Sequence, residues 1–592
     1  MKSNINLITF NIDDENLIFD KNKFLTKKTF LIGEWCKKNK NYYLDNKVNS
    51  LNLYNHTKLN KKTKDAIYIL KKYKELLKSL SKALNEIHHR KYSERYWEIL
   101  LSRWLFTYLV DTYTAWQLTE NVFKKYNINK FYQIDFEDKD FIPTSTLSFH
   151  HNAGRSKSVY WFHWTVQKIL FFKKIKNYTN VKTLFKKNFN IKSILEKKQD
   201  KHFITKVINI CFKKNIFFCN LNFSKSTTYK LMKKNFFFNY CYKKQIFFKS
   251  DFNKYKLMRN LLETKISKKK SIFDKFISNH ITYCLPQVFL EDYNQLEKTY
   301  DSGNLPKNKN YILTTFGHYW DEVFKIYCAK QVDKGSKLYI FQHGYGSMYA
   351  DNDCYGVNID KKISDKFFTW GKNTKNGSYP FFYSKSSVIR HKFSGLKNKK
   401  EIVLIGIGKN ECPNRPLNGF INGHEANLRV LKSLIDFNGS IKANLKENLR
   451  FRILDLSHNK FLINSIKSKI PKLMTSDLKV DLSRALKECS ISVHFYLGSP
   501  FFETLLFNIP TILILDKKIH MNYDDKFSHF VREMIKAKII FNDPLAAANF
   551  INAESNNLNK WWNNNKLQNL LERFCKIYCD TYDPNQNQLE IT

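Results

Sequence analysis

Residues 491–516, ISVHFYLGSPFFETLLFNIPTILILD, constrain the fold more than any other stretch, because two apolar strands and a helix between them can be assigned there. Residues 491–495 are short, β-branched and apolar, the pattern of a buried strand. Ser499 followed by Pro500 reads as an N-cap and a first helical residue, since a serine oxygen satisfies an orphan amide and proline has none to satisfy. The helix runs to about Asn508, Pro510 ends it, and 511–515 is the next buried strand. A strand, tight turn and helix leave amides and a positive dipole end at the carboxyl edge of a sheet, which suits a phosphate. Glu503, one turn in, is on the same rim and is spaced to accept hydrogen bonds from a ribose diol; a solvated residue of an ordinary αβ unit has the same spacing.

A chain of 592 residues that is 43% hydrophobic and 16% aromatic has material for two or three domains with cores. No run approaches the ~18–20 apolar residues that cross a bilayer; the nearest, 104–110, is too short and carries Thr107. Residues 5–10 are brief and run into Asp13, Asp14 and Glu15, which is no secretory signal, so a cytoplasmic protein is expected. The eleven cysteines contain no CxxC pair, and Cys575 and Cys579 stand at helical spacing without a second ligand pair, so buried thiols are expected rather than zinc or disulfides. The net charge of +47 comes from lysines spread evenly among Asn, Phe, Ile and Tyr. Spread charge speaks against specific nucleic-acid binding and for an attraction to the anionic face of the cytoplasmic membrane.

Taken in order, 5–10 and 29–32 are strands, the second followed by Gly33-Glu34-Trp35-Cys36, where Glu34 is a cleft candidate. Residues 61–87 place Ile67, Leu70, Tyr73, Leu77, Leu80 and Leu84 at helical spacing, and His88 and His89 end that helix. The next helix, 92–121, is the most apolar in the chain; Ser93 caps it, and Arg95, Arg103 and Asp111 need polar partners inside it or at a cleft. Residues 131–154 read as loop-rich and include His150-His151, which have no carboxylate or cysteine at ligand spacing. Residues 171–270, rich in Lys, Asn and Phe, read as αβ elaboration. A βαβ unit follows: strand 311–316, a helix carrying Val323, Phe324, Tyr327 and Cys328 and ended by Gly335, then strand 337–341.

That strand runs straight into Gln342-His343-Gly344-Tyr345-Gly346. His343 is the candidate catalytic residue, a group that titrates near working pH at a strand end where glycines leave room for a ligand; Gln342 and Gly344 are cleft candidates beside it. A histidine satisfied by neighbouring backbone fits the local sequence equally well. Asp351-Asn352-Asp353 and Asp138-Lys139-Asp140 are both DxD triplets, and neither is assigned a metal. Residues 372–399 read as a linker, 401–408 as a strand with a Gly406-Ile407-Gly408 turn that lets a pyrophosphate approach the backbone, and 449–456 as a further strand. His494, at the end of strand 491–495, is another cleft candidate. Beyond Asp543-Pro544 the chain is helical, with Leu567, Leu570, Leu571, Phe574, Cys575 and Tyr578 on one face.

Gly498 to Thr504 and Asn508 to Thr511 resemble the donor-site segment of GT-B glycosyltransferases, in which the glutamate holds the ribose of a nucleotide sugar. GEWC at Gly33, RYW at Arg95, LPQVFLED at Leu285, DEVFK, GSKLYIFQHGYG, FFTWG, ETLLFNIPTI and Trp561-Trp562 stand in the order of a bacterial family of surface-carbohydrate transferases encoded in O-antigen gene sets. The QHG strand end also resembles a motif of capsule and teichoic-acid polymer transferases. At Leu497-Gly498-Ser499 the chain departs from those relatives, where a more polar Asn-Ser-Thr run is expected.

The resemblance implies an α/β, GT-B-like fold: two Rossmann-like domains facing a cleft, with helical elaboration of the first and a C-terminal crossing helix. It divides the chain into an acceptor-side domain at 1–385, a nucleotide-sugar domain at 386–545 and helices at 546–592 that pack back on the first. It implies a glycosyltransferase that needs no metal or cofactor, with Gly498, Ser499, Pro500, Glu503, Gly406 and Gly408 at the donor, His343 as base, and a polysaccharide or lipid-linked acceptor. Two rivals are a polyol-phosphate transferase of teichoic-acid type and a basic polyanion-binding protein.

Overall fold

The structure, a computed structural model, describes residues 2–36, 49–51, 59–154, 158–184, 216–221, 223, 252–266, 271–302, 305–306, 309–344, 356–371, 378–381, 400–406, 423–453, 460–475, 482–486, 488–516 and 525–581. Its strands form three sheets. The first contains β1 (Ser3–Ile8), β2 (Leu17–Ile18), β3 (Thr29–Leu31), β4 (Asn49–Ser50), β5 (Tyr126–Ile134) and β6 (Tyr178–Thr183), in the order β2-β6-β5-β1-β3-β4. All pairs are parallel except β2 with β6. The second holds β7 (Ile216–Cys219), β8 (Tyr311–Thr314), β9 (Lys337–Phe341), β10 (Lys366–Thr369) and β11 (Ser378–Pro380), parallel and side by side in chain order.

The third sheet is built from β12 (Glu401–Gly406), β13 (Leu449–Ile453), β14 (Met474–Thr475), β15 (Cys489–His494), β16 (Thr511–Ile514) and β17 (Ile540–Phe541). Its order, β14-β13-β12-β15-β16-β17, is all parallel. β15 and β16 are buried along their whole length, as strands covered by helices on both faces must be. Numbered from β12 the order is 3-2-1-4-5-6, so the chain reverses direction between β12 and β15 and opens a crevice at their carboxyl ends. The α/β class with parallel sheets is the one expected. The elaboration of the first half brings, besides long helices, a complete second sheet.

Helix Glu94–Lys125 is the post between the first two sheets. Ser93 caps it, its Oγ accepting from Tyr96 N at 3.1 Å, and Trp97, Trp104 and Tyr108 are fully buried along it. It packs on helices Leu59–His88, Ser158–Phe172, Glu322–Asp333 and Gly356–Ile363. Arg95 reaches Asp365 at 2.7 Å. In helix Leu59–His88 the apolar stripe is rotated from the one expected: Ile67 is exposed, while Ala66 and Ile69 are buried. Residues 131–154 are not loop-rich: β5 continues to Ile134, and Thr146–Gly154 is a helix that carries His150 and His151. Thr146 N donates to Glu322 Oε1 at 2.7 Å, so a buried carboxylate 176 residues away starts this helix, which local sequence does not reveal. Of the expected linker, 378–380 forms β11 and Phe381 is buried after it; the rest lies outside the described residues.

One apolar cluster runs from Ile5 to Phe367 and joins the first two sheets. Another gathers helix Ser499–Leu506 and helices Asp525–Lys536 and Asn565–Tyr578, and Trp370 of the first half joins it. The terminal helix thus buries Leu567, Leu570, Leu571, Phe574, Cys575 and Tyr578 against both Phe502 and Trp370. A methyl on Gly371 would stand 2.3 Å from the Ile577 carbonyl oxygen, so the two backbones meet there with no room for a side chain. Among the described residues no helix is long and apolar enough to cross a membrane.

Candidate active site

At the carboxyl edge of the second sheet, β9 ends in Gln342-His343-Gly344. Gln342 does not face a cleft. It is 1% exposed, its Oε1 accepts from Trp370 N at 3.0 Å, its Nε2 donates to Gly344 O at 3.1 Å, and its carbonyl accepts from Trp370 Nε1 at 2.8 Å. The side chain is a bracket between the ends of β9 and β10. His343, next in line, is exposed, and a Cβ on Gly344 would meet nothing within 4 Å.

The His343 ring lies 5.1 Å from the ring of Tyr319, on the short helix Gly317–Trp320 that follows β8. Tyr319 is fixed on two sides: its hydroxyl donates to Asp360 Oδ2 at 2.7 Å, and the Arg103 guanidinium lies 3.8 Å over its ring. His318 Nε2 meets the other oxygen of Asp360 at 2.8 Å. Burial alone would raise the Asp360 pKa, but the charge and hydrogen bond of His318, with Arg103 and the Tyr319 hydroxyl, hold it below the ordinary carboxylate value. This edge therefore offers an exposed imidazole, an aromatic floor and an arginine, groups able to accept a proton from a hydroxyl and to balance negative charge. Of these, sequence reasoning singled out His343 and Arg103 and missed His318, Tyr319 and Asp360. His318-Tyr319 follow β8 at the same edge as His343, which was a usable signal; Asp360 sits in a helix 42 residues downstream of His318 with no local mark.

At the carboxyl edge of the third sheet, Gly406 ends β12 and Phe495 follows β15, with Phe495 N bonded to Ile405 O at 2.9 Å. A methyl on Gly406 would stand 2.7 Å from the Phe451 ring, so the glycine serves packing as well as any ligand. The N-cap of helix Ser499–Leu506 is Gly498, not Ser499: Gly498 is extended (φ −157°, ψ −179°), and Ser499 and Pro500 are the first helical residues. Gly498 is a glycine of necessity, since a Cβ there would stand 2.2 Å from Cε2 of the Tyr496 ring. The Phe501 amide is already bonded to Gly498 O at 3.0 Å and Pro500 has none, so fewer amides are available to an anion than the sequence suggested.

Glu503 is half-buried on this rim; burial and then the Glu503 charge push the Tyr496 hydroxyl above its usual pKa, which puts the two side chains together. His494 is not a cleft residue. It is fully buried, its Nε2 meets Thr504 Oγ1 at 3.2 Å, and burial lowers its pKa to about 3. Arg429, on helix Gly423–Ser440, pairs with Asp516 at 3.1 Å just beyond β16, a cation at this edge that sequence reasoning missed.

The topology thus gathers Gly406, Gly498, Ser499, Pro500 and Glu503 at the third sheet's crevice, and His343 and Gly344 at the second sheet's edge. Gly408, Tyr345, Gly346, Asp351 and Asp353 lie outside the described residues, and Glu34 opens the single turn Glu34–Cys36 after β3, its side chain outside the description. Asp138 bonds Trp164 Nε1 at 3.0 Å and Lys168 at 2.5 Å, and Asp140 closes a capping box with Glu137, so this triplet is structural.

The model of the LIC12162 family of transferases matches residues 17–590. No curated protein matches the chain. Among solved structures, the pneumococcal O-GlcNAc transferase GtfA with UDP and GlcNAc is 12% identical over 45% of this chain and 53% of its own length, at a TM-score of 0.26. The chain therefore aligns with about half of GtfA. MnaA of S. aureus with UDP is 10% identical over 50% and 81% (TM-score 0.29), and glycosyltransferase VinC with dTDP is 10% identical over 54% and 82% (TM-score 0.26). With the family model spanning both sheet edges and the terminal helices, the chain belongs to the LIC12162 family of transferases.

Proposed function

We propose that this transferase moves a sugar from a nucleotide-activated donor to a surface polysaccharide or lipid-linked acceptor, in a GT-B arrangement with lobes at 1–385 and 386–545 and bracing helices at 546–592. The observation that carries the reading is the 3-2-1-4-5-6 order of the third sheet, with Gly406, Gly498, Ser499 and Glu503 at its point of reversal. The nucleotide occupies that crevice, with Glu503 on the ribose and Arg429 near the phosphates. His343 takes the proton of the acceptor hydroxyl as the anomeric centre becomes electron-poor, a contribution of about 10²- to 10⁴-fold. The basic chain works at the anionic face of a membrane, and no metal is assigned a role.

The test is a thermal-shift screen against CMP, CDP, UDP, GDP and dTDP, each with and without magnesium. Saturable stabilisation by one base, lost in Glu503→Ala and kept in His343→Ala, is expected, about 2.7 kcal/mol at a ligand concentration a hundred times Kd. Equal weak responses that vanish with salt would sink the donor site in favour of a polyanion-binding protein. A response to CDP with turnover of CDP-glycerol would move the chemistry to polyol-phosphate transfer.

A further inference from the structure

We infer that the turn at residues 171–178 is the face by which this protein docks on an anionic lipid bilayer. Helix Ser158–Phe172 ends in Phe171 and Phe172, and the chain returns to β6 at Tyr178; all three rings are exposed, at 38%, 38% and 43%. They are held from beneath: Phe171 lies 5.4 Å from Phe131 and 5.5 Å from Tyr178, and Phe172 lies 6.2 Å from Trp116 and 5.5 Å from Phe276. Rings anchored on a core lose little freedom on entering an interface, which is the layer aromatic side chains favour.

Lysines surround them. Lys174 and Lys176 are exposed within the turn, and Lys174 adopts φ +63°, which reverses the chain so that Tyr178 comes back beside Phe171. Lys173 pairs with Glu120 and lies 5.7 Å from the Phe123 ring, bringing the end of helix Glu94–Lys125, with exposed Lys124 and Lys125, to the same face. Glu120, a carboxylate within this contact, is held by Lys173. Aromatics at the tip, four exposed lysines around them and a chain charge of +47 match an anionic bilayer, where a lysine near the surface contributes about fivefold in affinity. This gives the membrane contact proposed above a place on the molecule, and it does not depend on the transferase chemistry.

The experiment is co-sedimentation of the full chain, without substrates, with vesicles of phosphatidylcholine alone and of phosphatidylcholine with phosphatidylglycerol. Binding to the mixed vesicles only is expected, with at least about a tenfold loss in Lys125→Glu/Lys174→Glu/Lys176→Glu. Phe171→Ser/Tyr178→Ser should lower binding while leaving the melting temperature within a few degrees. Reversal of the exposed Lys64, Lys71 and Lys78 on helix Leu59–His88 is the control and should cost little. An equal loss in the control overturns the assignment of this face and leaves a diffuse charge effect. No binding to either vesicle overturns the membrane contact itself, and neither result touches the donor site. Concentration-dependent self-association abolished by Phe171→Ser/Tyr178→Ser would make the face a contact between copies and overturn the proposal.

Discussion

The two strand edges that carry the candidate site are built by different means. Around His343 the geometry is set by polar side chains from distant parts of the chain: Gln342 brackets Trp370, and Asp360 holds His318 and Tyr319. Around Glu503 it is set by backbone and apolar contact. Gly498 lies against Tyr496, and the helix closes in a left-handed turn at Asn508 (φ +52°), with Asn508 N bonded to Leu505 O and Ile509 N to Thr504 O. Trp562 then caps that turn, its indole donating to Asn508 O at 3.1 Å and Oδ1 at 2.9 Å. A networked edge fails when one partner is removed; a packed edge fails when volume changes.

Acidification should separate the two halves most. His88, His163 and His280 are buried in the first half with pKa values lowered by burial to about 4, 3 and 3, and His494 in the second to about 3. The unfolded imidazoles take protons below about 6.5 while the folded ones do not, so stability falls as pH drops from about 6.5 toward 4. Between pH 7 and 5 each histidine contributes about 2 kcal/mol of loss, about 6 for the first half against about 2 for the second, and buried Asp321, its carboxyl raised by burial to about 8, holds over the same range a proton that the unfolded chain lacks and returns about 2–3 kcal/mol to the first half. Urea midpoints read by labelling buried Cys284 and Cys489 should diverge accordingly; parallel shifts would break the contrast.

Trp370→Ala should cost about 3–5 kcal/mol in urea unfolding, because it empties the contact shared by both halves. Gln342→Ala leaves the Trp370 amide without its acceptor and should cost about 1–3 kcal/mol. At the far end of the helix that carries Glu503, Trp562→Phe keeps most volume and loses one donor, about 1 kcal/mol. Asn508→Gly is expected to be smallest, within about 0.5 kcal/mol, because glycine accepts the positive φ while giving up the side-chain acceptor. If Asn508→Gly proved costlier than Gln342→Ala, the packed edge would depend on its polar cap as much as the other does.

What was legible follows the same division. Strands 311–314, 337–341 and 511–514 and the terminal amphipathic helix were readable because their signals are local and periodic, and Gly335, at φ +102°, ends its helix as expected. The carboxyl-edge position of His343 and Glu503 followed from those strands. Gln342 and His494 misled because their neighbours in sequence say nothing of Trp370 or of the helix that buries them. Ser499 misled because glycine too can stand at an N-cap, and Gly498 takes that position one residue earlier. Several motifs carrying the family resemblance prove to be scaffold: Arg95 ties to Asp365, Glu291 holds Arg259 through two hydrogen bonds at 2.6 and 2.9 Å, and Glu322 pairs with Lys325. That the chain is a transferase was legible because the scaffold is distinctive, even where the chemistry is not.

The seam at Trp370 and Gly371 has a mechanical consequence. The terminal helix ties the second half back onto the first at this seam, in addition to the covalent link between them. Because Gly371 touches the Ile577 backbone with no side chain between them, this seam has no slack. A bulky residue at position 371 would force the two backbones apart and open this seam.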